Sequence, residues 1–311
     1  MTDYYCFRKE SPTQTNLATF LSQIGWTATR IPRRAKVSDA WLDFPIAISE
    51  TLEYKHRLAK FCQQHGLSDL IPLTYCLDED NWQTILGLVD KESWGRFILK
   101  PALLNNGQNI HIFENPETLY DYYVSRKRLG GPHVLQRYIE PPHLIQGPTH
   151  GHKYSIRQLM VLSTHAGCGI FPNGYLNIAL RPYADVTQDL SVHLTNEHLS
   201  DERINVVQRL SSEMVIYQPF EDPIIHACQR LSDALRHSFQ EHFQDEKPRI
   251  GCFGVDFMVD ANETLWLLEI NHGPCFPVDA AHPLYEKLYT PFWQAVINQF
   301  IVGKPSRFIA I

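Results

Sequence analysis

Three oxygen-bearing side chains near the C-terminus have the types and the spacing of a metal site. Asp256 lies in the first of two apolar segments, and Glu269 and Asn271 lie in the second, after a short turn. A hairpin centred between Asn262 and Glu263 places Asp256 opposite Glu269, and Asn271 shares the face of Glu269. Two neighbouring carboxylates repel each other unless a cation compensates them. This set of oxygens favours Mg²⁺, which takes its remaining ligands from water and phosphates.

The same hairpin can also be interpreted without a metal. In that case it lies on the surface, its two acids are solvated, and one of them caps the turn. On the metal interpretation, Leu268 and Ile270 point away from the cluster because they alternate with its members. Phe257 and Trp266 are then expected in the core, and His272 either belongs to the site or hydrogen-bonds a turn.

Basic residues in two other apolar segments could face such a cluster. Lys100 ends an apolar segment, where its stem can pack while the ammonium group reaches a phosphate. Lys153 and Arg157 are four residues apart, so they share one face of a strand. Cations opposite a carboxylate–metal cluster make a pocket for a polyphosphate. Taken singly, each of these residues could equally be a solvated charge.

The elements that must position these residues follow from periodicity and capping. Alternating apolar residues predict strands at 97–101, 109–113, 133–139, 154–162, 251–259 and 264–271. Helical spacing and capping residues predict helices at 15–24, 52–65, 115–123, 221–243 and 283–300. The polar, acidic stretch 78–94 is interpreted as a linker. Mixed strands and helices with antiparallel pairing predict an α+β fold and not a doubly wound sheet.

Composition narrows the class of protein. The 311 residues carry 28 Lys and Arg against 34 Asp and Glu, a net charge of −6, so we expect neither nucleic acid nor a membrane as partner. The seven cysteines are scattered and form no C-x-x-C pair, which argues against a zinc site and a disulfide framework. The N-terminus lacks the apolar stretch of a signal peptide, and no segment has the length of a membrane span. These features predict a cytoplasmic protein.

Several of these segments together resemble the tubulin tyrosine ligase-like family of the ATP-grasp superfamily. The resemblance is carried by FILKP, VLQRYI, KYSIR, HLTN and GVDFMVD…WLLEIN, in that order. It covers about residues 52 to 300, whereas the first 50 residues match weakly. It implies a small N-terminal domain at 1–51, a central lobe at 52–145 and a C-terminal lobe with the metal site at 146–311.

The resemblance also implies a role for each matching residue. ATP and Mg²⁺ would bind between the two lobes, with Asp256, Glu269 and Asn271 as the metal ligands. The residues implied in ATP binding are Lys55, Lys100, Gln136, Arg137, Tyr138, Ile139, Lys153 and Asn271. Gln136 to Ile139 would form the hinge strand whose backbone reads the adenine. Lys153 and Arg157 would face the γ-phosphate and the reacting carboxylate.

Two departures from the family pattern concern the reacting end of the site. Asn177 stands where the family has a catalytic arginine, and Arg181, four residues later, is the candidate replacement. The loop after Lys100 contains Gly107 but fewer glycines than the phosphate loop of the family, and fewer glycines hinder a close approach to phosphate. We therefore expect the amino-acid or acceptor site to differ from that of the family, and the sequence does not decide whether tubulin is the substrate.

The function implied is an ATP-dependent carboxylate–amine ligase that adds an amino acid to a protein or peptide acceptor through an acyl phosphate. The catalytic residues implied are Lys153, Arg157 and Arg181. Two alternatives stay open: an ATP-grasp scaffold that binds nucleotide without ligase activity, and a ligase with a small-molecule acceptor. Asn177 and the loop favour the scaffold, whereas the complete acidic set favours the ligase.

Two further clusters are interpreted from their spacing. Four basic residues could dock an acidic tail of a protein acceptor, or belong to a solvated loop: Arg30, Arg33, Arg34 and Lys36. Three histidines are expected to be exposed loop residues and not metal ligands: His143, His150 and His152.

Overall fold

A large, mainly antiparallel sheet forms the centre of the computed structural model. The structure describes residues 3–89, 95–104, 107–125, 129, 131–146, 151–184, 189–197, 204–245, 247–274 and 276–311. The strands of the large sheet are β8 (Leu144–Gln146), β9 (Gly151–Ser163), β10 (Gly169–Ile170), β11 (Tyr175–Ala179), β12 (Val206–Leu210), β13 (Ile250–Val259), β14 (Leu265–His272) and β15 (Ile309–Ala310). Strand β9 pairs with β8, β10, β11 and β13, so it organises the sheet.

Two smaller sheets accompany it among the described residues. A four-stranded antiparallel sheet has the order β4–β7–β5–β6, with β4 (Thr74–Leu77), β5 (Phe97–Pro101), β6 (His111–Phe113) and β7 (His133–Arg137). A small parallel sheet near the N-terminus consists of β1 (Tyr4–Cys6), β2 (Thr27–Ala28) and β3 (Val37–Ser38). The mixture of helices and largely antiparallel sheets confirms the predicted α+β class.

The helices flank these sheets. They are α1 (Pro12–Gln23), α2 (Ile46–Glu53), α3 (Lys55–Gln64), α4 (Trp82–Val89), α5 (Pro116–Val124), α6 (Leu190–His193), α7 (Glu221–Ser238), α8 (Gln240–Phe243) and α9 (Thr290–Val296). Helix α9 lies between the π-helical segments Tyr285–Tyr289 and Ile297–Val302. Short 3₁₀ turns occupy Pro32–Arg34, Asp39–Trp41, Ser211–Glu213 and Val215–Phe220.

Strand β9 shows how the sequence separates the core from the cleft. Tyr154, Ile156 and Met160 point to one face of the sheet, where α2, α3 and α7 cover them. On the opposite face, Leu159 and Val161 pack under α1 and α9. Residues 153, 155 and 157 share that second face but are polar. The face therefore changes from apolar to polar along the strand, and its polar end forms part of the cleft described below.

Local signals explain several helix boundaries. Helix α5 begins as predicted, because Asn115 Oδ1 accepts a hydrogen bond from Thr118 N at 2.9 Å and Pro116 occupies the first position. The predicted helix at 221–243 is confirmed as α7 and α8, which are interrupted at Phe239.

Two sequence predictions were wrong in this part of the chain. The predicted single helix at 52–65 is two helices, because Tyr54 adopts an extended backbone (φ −81°, ψ 113°) between α2 and α3. The stretch 78–94 is not only a linker, since α4 occupies Trp82–Val89; residues 90–94 lie outside the described residues. Leu86 and Val89 are buried against the four-stranded sheet, and that burial stabilises α4 despite its polar flank.

The N-terminal elements pack closely on the C-terminal ones. Tyr5, Leu17 and Phe20 belong to the same apolar cluster as Phe292 and Trp293 of α9. The division of the chain into three domains stays a prediction. None of the helices within the described ranges is long and apolar enough to cross a membrane.

Candidate active site

A row of four side chains crosses neighbouring strands of the large sheet. Glu269 pairs with Asp256 between β14 and β13, Asp256 pairs with Arg157 of β9, and Arg157 pairs with Tyr175 of β11. Directly opposite residues in an antiparallel ladder project to the same face of the sheet. The predicted opposition of Asp256 and Glu269 is therefore confirmed.

A β-bulge is the reason for this register. Near the turn, Phe257 pairs with Leu267, whereas beyond it Asp256 pairs with Glu269. Leu268 is the extra residue on β14, and such a residue shifts the pairing of the rest of the strand by one. The turn is thus centred on Asn262 and not between Asn262 and Glu263 as predicted. The extra residue of the bulge restores the predicted pairing of Asp256 with Glu269. The prediction that Leu268 points away from the site was wrong, since it lines the cleft, whereas Ile270 is buried in the core.

Asp256 and Arg157 form a two-pronged ion pair within this row. Arg157 Nε lies 2.5 Å from Asp256 Oδ1, and Arg157 Nη2 lies 2.6 Å from Oδ2. Burial raises the pKa of Asp256 to about 6, although Arg157 acts in the opposite direction. Burial disfavours the charge of Arg157, but the carboxylate beside it raises the pKa of the guanidinium overall. The pair therefore holds its charges only by mutual compensation.

Glu269 is the more strongly ionised of the two acids. Burial raises its pKa, but Lys55 and Lys100 outweigh burial and the net shift is downward. Lys55 Nζ lies 3.6 Å from Glu269 Oε2 and donates a hydrogen bond of 2.7 Å to Leu104 O. Because the backbone break before α3 starts the helix at Lys55, this lysine is placed beside Glu269.

Asn271 contacts both carboxylates, and this geometry can be compared with what a Mg²⁺ site requires. Its Nδ2 donates to Asp256 Oδ2 at 3.1 Å and lies 3.4 Å from Glu269 Oε1. The three side chains thus converge, and a rotation of the amide by half a turn directs its oxygen to the same point. Hard oxygen donors of this kind suit Mg²⁺. Within the described ranges no group of three His, Cys, Asp or Glu side chains could hold a metal ion, so the remaining ligands would come from water and phosphate.

Two lysines accompany the carboxylates of Asp256 and Glu269, which we call the acidic row; Lys153 is buried and Lys100 is half-buried. Lys153 is 2% exposed, and its Nζ donates to the Tyr138 hydroxyl at 2.8 Å. Lys100 Nζ donates to Gln136 Oε1 at 2.8 Å. Burial lowers the pKa of Lys153 to about 7 and that of Lys100 to about 8; nearby cations add to the shift of Lys153, whereas Glu269 opposes that of Lys100. Both ammonium groups are therefore poised to gain from an anionic ligand.

These residues meet in one cleft between the four-stranded sheet and the large sheet. Its volume is about 340 Å³, which is within the usual range for small-molecule sites. Every site residue predicted from the sequence except Arg181 lines it: Lys55, Lys100, Gln136, Arg137, Tyr138, Ile139, Lys153, Arg157, Asp256, Glu269 and Asn271.

The predicted hinge strand has fewer free backbone groups than expected. Arg137 N donates to Leu73 O at 2.7 Å, and Tyr138 N donates to Arg96 O at 2.9 Å. In the part of the chain that the structure describes, Ile139 N has no hydrogen-bond partner. The Ile139 N–H is therefore available to a ligand of the cleft, and adenine recognition by this strand stays a prediction.

The structure does not bring Arg181 to the cleft. It follows the end of β11, and its guanidinium is paired with Asp189 and donates to Ser191 Oγ at 3.0 Å. Asn177 itself lines the cleft, and its Oδ1 accepts a hydrogen bond of 3.1 Å from Gln208 Nε2. A neutral amide pair thus occupies the position where the family resemblance implied a positive charge.

Sequence reasoning missed part of the wall of the cleft. Ser155, Gln208 and the segment 193–197 also line it, and His193 Nδ1 is 2.7 Å from the Tyr138 hydroxyl. The HLTN sequence was noted for its resemblance but received no role. Alternation along β9 could have found Ser155, which lies between Lys153 and Arg157 on the same face.

The loop after Lys100 and two of the predicted histidines are held by local contacts. Gly107 has a positive φ of 69°, and a Cβ there would lie 3.2 Å from Leu194 Cδ1, so this glycine permits close packing against the segment 193–197. The expectation of exposed loop histidines was wrong for two of them, because His143 and His152 are half-buried and His152 lies in β9. His143 Nδ1 lies 2.8 Å from the Tyr154 hydroxyl, and His152 Nδ1 lies 2.9 Å from the Ala179 carbonyl oxygen. His150, Asn105 and Asn106 lie outside the described residues.

A glycine of β13 leaves room for the Arg157 side chain, which gives a first prediction. A Cβ on Gly254 would lie 2.7 Å from Arg157 Cδ and 3.1 Å from Nε. We expect Gly254→Ala to displace Arg157 from Asp256 and to lower activity about tenfold to a hundredfold by misplacing groups by about an ångström. Gly87→Ala is the control, because a Cβ there meets no atom within 4 Å. Equal activity of the two variants in a steady-state assay would contradict the expectation.

The fold and the cleft define the class of this protein. A cleft between two sheets of an α+β fold, lined by a carboxylate–amide cluster and by two lysines, is typical of an ATP-grasp protein. The profile of the tubulin-tyrosine ligase family matches residues 43–307, and the chain belongs to this family.

Curated relatives agree with that assignment. The chain is 26% identical over 243 residues to protein polyglycylase TTLL10 of Macaca fascicularis, which covers 67% of this chain and 38% of the relative. It is 27% identical over 249 residues to tubulin polyglutamylase TTLL13 of Homo sapiens (68% and 28%). It is 25% identical over 245 residues to inactive polyglycylase TTLL10 of Homo sapiens (67% and 35%). The chain thus spans about a third of the length of these relatives.

Proposed function

We propose that this protein is an ATP-dependent ligase that joins an amino acid to a protein or peptide acceptor by an amide bond. The observation that carries the proposal is that Asp256, Glu269 and the two lysines Lys100 and Lys153 line the same cleft. Family membership supports it, since relatives carry the names polyglycylase and polyglutamylase.

The chemistry required explains the residues of the cleft. A carboxylate oxygen attacks the γ-phosphorus of ATP, ADP leaves, and an acyl phosphate forms. An amine then attacks the acyl carbon, loses a proton, and releases inorganic phosphate. Lys100 and Lys153 would stabilise the phosphoryl group during the first step, and Arg157 would orient the carboxylate through its fork of donors. Mg²⁺ held by Asp256, Glu269 and Asn271 would supply neutralisation of the phosphate charge.

The proposed ligase is tested by binding and turnover together. We expect ATP with Mg²⁺ to raise the thermal midpoint of the protein and ADP to be released when a suitable amino acid and acceptor are added. Stabilisation without ADP release across all amino acids and acceptors would support the alternative of a nucleotide-binding scaffold. Asn177 and the glycine-poor loop favour that alternative, and one relative is itself named inactive.

The lowered pKa of Lys153 predicts a pH dependence of ATP binding. With a pKa of about 7, Lys153 is mostly neutral at pH 8 in the free protein. A triphosphate favours the ammonium form and raises this pKa, so binding takes up a proton, and affinity falls as the pH rises above 7. Calorimetry in two buffers of different ionisation enthalpy should show this uptake at pH 8.

The matched variants for this prediction are Lys153→Met and Lys304→Met. Lys304 is exposed and lies outside the cleft, so its replacement should leave the proton uptake unchanged. Lys153→Met should reduce the uptake, while Lys100, whose pKa is about 8, continues to contribute. An unchanged uptake in Lys153→Met would rule out Lys153 as the coupled group.

The acceptor is proposed to be a protein or peptide with an acidic tail. Arg30, Arg33 and Arg34 are exposed on the loop between β2 and β3, and Lys36 lies beside them. Tubulin remains a candidate because several relatives are named for it. We propose a cytoplasmic location, because the described cysteines are free, as is usual in reducing compartments.

Neutralising the four basic residues tests the acidic tail. We expect the change of all four to glutamine to raise the KM for a protein acceptor several-fold, flatten its salt dependence and leave kcat nearly unchanged, because exposed charges act on encounter. The control changes Lys9 and Lys304, two exposed lysines elsewhere. An unaltered KM would leave the stretch as a solvated loop, and activity only on small molecules would favour the small-molecule alternative.

A further inference from the structure

One edge of the large sheet lies beside the cleft. Strand β12 pairs with β11, and no strand among the described residues pairs with its other side. Gln208, in the middle of β12, lines the cleft and donates to Asn177. An open strand edge offers a row of backbone donors and acceptors to another chain. Here that row borders the candidate active site.

The hydrogen bonds at both ends of β12 establish which of its backbone groups point outward. Leu180 N donates to Asn205 O at 2.9 Å, and Ser211 N donates to Gly174 O at 3.0 Å. Both bonds join residues that are opposite each other in the register of β11 and β12. They are therefore hydrogen-bonded pairs of an antiparallel ladder, in which such pairs alternate with pairs that are not bonded.

This alternation divides the five residues of β12 into two sets. Val207 and Arg209 have the same parity as the two bonded ends, so their N–H and C=O groups point to β11. The N–H and C=O groups of Val206, Gln208 and Leu210 point away from the sheet. Their side chains share the face that carries Gln208, which is the face of the cleft.

We propose that an extended segment of the polypeptide acceptor binds to β12 as an additional strand. Its backbone would pair with the outward groups of Val206, Gln208 and Leu210, and alternate side chains would point toward the cleft. The inference rests on the proposed ligase function and adds that the acceptor is recognised through its main chain in an extended form.

The charges of the cleft favour an acidic acceptor over a second copy of this chain. Lys100, Lys153 and Arg157 line the cleft that the inserted side chains would enter, and the five Lys and Arg residues of its lining outnumber its four carboxylates. Arg209 is exposed on the opposite face of β12. A glutamate-rich strand would therefore meet positive charge on both faces, whereas the middle of β12 itself presents Gln208 and Arg209. Edge-to-edge pairing of two copies is an outcome that the test separates.

Amide hydrogen exchange measured by NMR tests the proposal on the intact protein without relying on catalysis. The probe is a synthetic glutamate-rich peptide, added with ATP and Mg²⁺ or without them. We expect exchange at Val206, Gln208 and Leu210 to slow by about tenfold or more on peptide addition. Val207 and Arg209 are built-in controls, because their N–H groups already bond to β11 and should not change.

Methylated peptides provide the matching test from the side of the acceptor. Methylation of one backbone nitrogen at a time should weaken binding about three- to tenfold at every second position, because one hydrogen bond is removed each time. A loss with no period of two, no slowing at the three outward amides, or no peptide binding at all would overturn the proposal. Slowing at these amides without peptide, growing with protein concentration, would assign the edge to a second copy and overturn it too.

The experiments distinguish a failure of the proposed strand binding from a failure of the proposed ligase function. Slowed exchange without ADP release would retain the peptide strand and reject the ligase activity. ADP release with an amino acid and an acceptor, with no change at the edge, would retain the ligase and reject the strand.

Discussion

Replacing Glu269 with glutamine is expected to lower ATP turnover by about a hundredfold to a thousandfold while leaving the fold intact. Glutamine has the same shape, but it removes the more strongly ionised carboxylate of the acidic row. With that charge removed, a divalent cation loses much of its attraction to the site, and the phosphoryl group is stabilised less in the transition state. The measurement is ADP release as a function of Mg²⁺ concentration, with circular dichroism to check the fold.

The control for this prediction is Glu213→Gln. Glu213 forms an ion pair of 2.6 Å with Lys287, neither residue lines the cleft, and both side chains are about half exposed. Its replacement should leave turnover and its Mg²⁺ dependence unchanged, because exposed pairs contribute little. A Glu269→Gln variant with full activity would refute the metal assignment, whatever else binds in the cleft.

The second large effect is on stability. Arg157→Gln is expected to lower the free energy of unfolding by about 3–5 kcal/mol, because it leaves the buried carboxylate of Asp256 without its counter-charge. Asp256 is 5% exposed, so little water can reach it in place of the guanidinium. The remaining acid would respond by taking up a proton, and the loss of stability should therefore be greatest above the pKa of about 6 that Asp256 already has with Arg157 present.

Two further variants make this prediction specific. The double variant Arg157→Gln with Asp256→Asn should recover most of the lost stability, because no unpaired charge remains buried. Arg230→Gln breaks an exposed two-pronged pair with Asp69 and should cost only about 0–1 kcal/mol. Urea unfolding at pH 5 and pH 8 measures all three. A loss that is the same for Arg157→Gln and Arg230→Gln would show that the buried pair contributes no more than a surface pair.

The direction of side chains within a strand and the start of a capped helix were predictable from the sequence. Alternation in β9 placed Lys153 and Arg157 on one face, and capping residues located the start of α5. The opposition of Asp256 and Glu269 was predicted correctly, but the hairpin reaches it through a β-bulge and not through the predicted centre of the turn. The predicted centre of the turn omitted the bulge at Leu268, whose extra residue depends on packing around the strand and has no reliable sequence signal.

The errors share a physical cause. The break at Tyr54 and the helix from Trp82 to Val89 both depend on contacts with distant sheets. Helical propensity over such short segments is weak compared with the apolar area that tertiary packing buries. A polar stretch can therefore become a helix, and a helical pattern can divide in two.

The sequence by itself determined the class of fold, the faces of the strands and the residues able to carry charge, because side-chain direction within a strand depends only on a period of two. Tertiary structure alone decided that Asn177 pairs with Gln208 in the cleft, that Arg181 lies elsewhere, and that the segment 193–197 closes one wall. Those positions depend on how two separate sheets approach each other. Contacts between residues far apart in sequence arise from the packing of whole elements, and no local spacing records them.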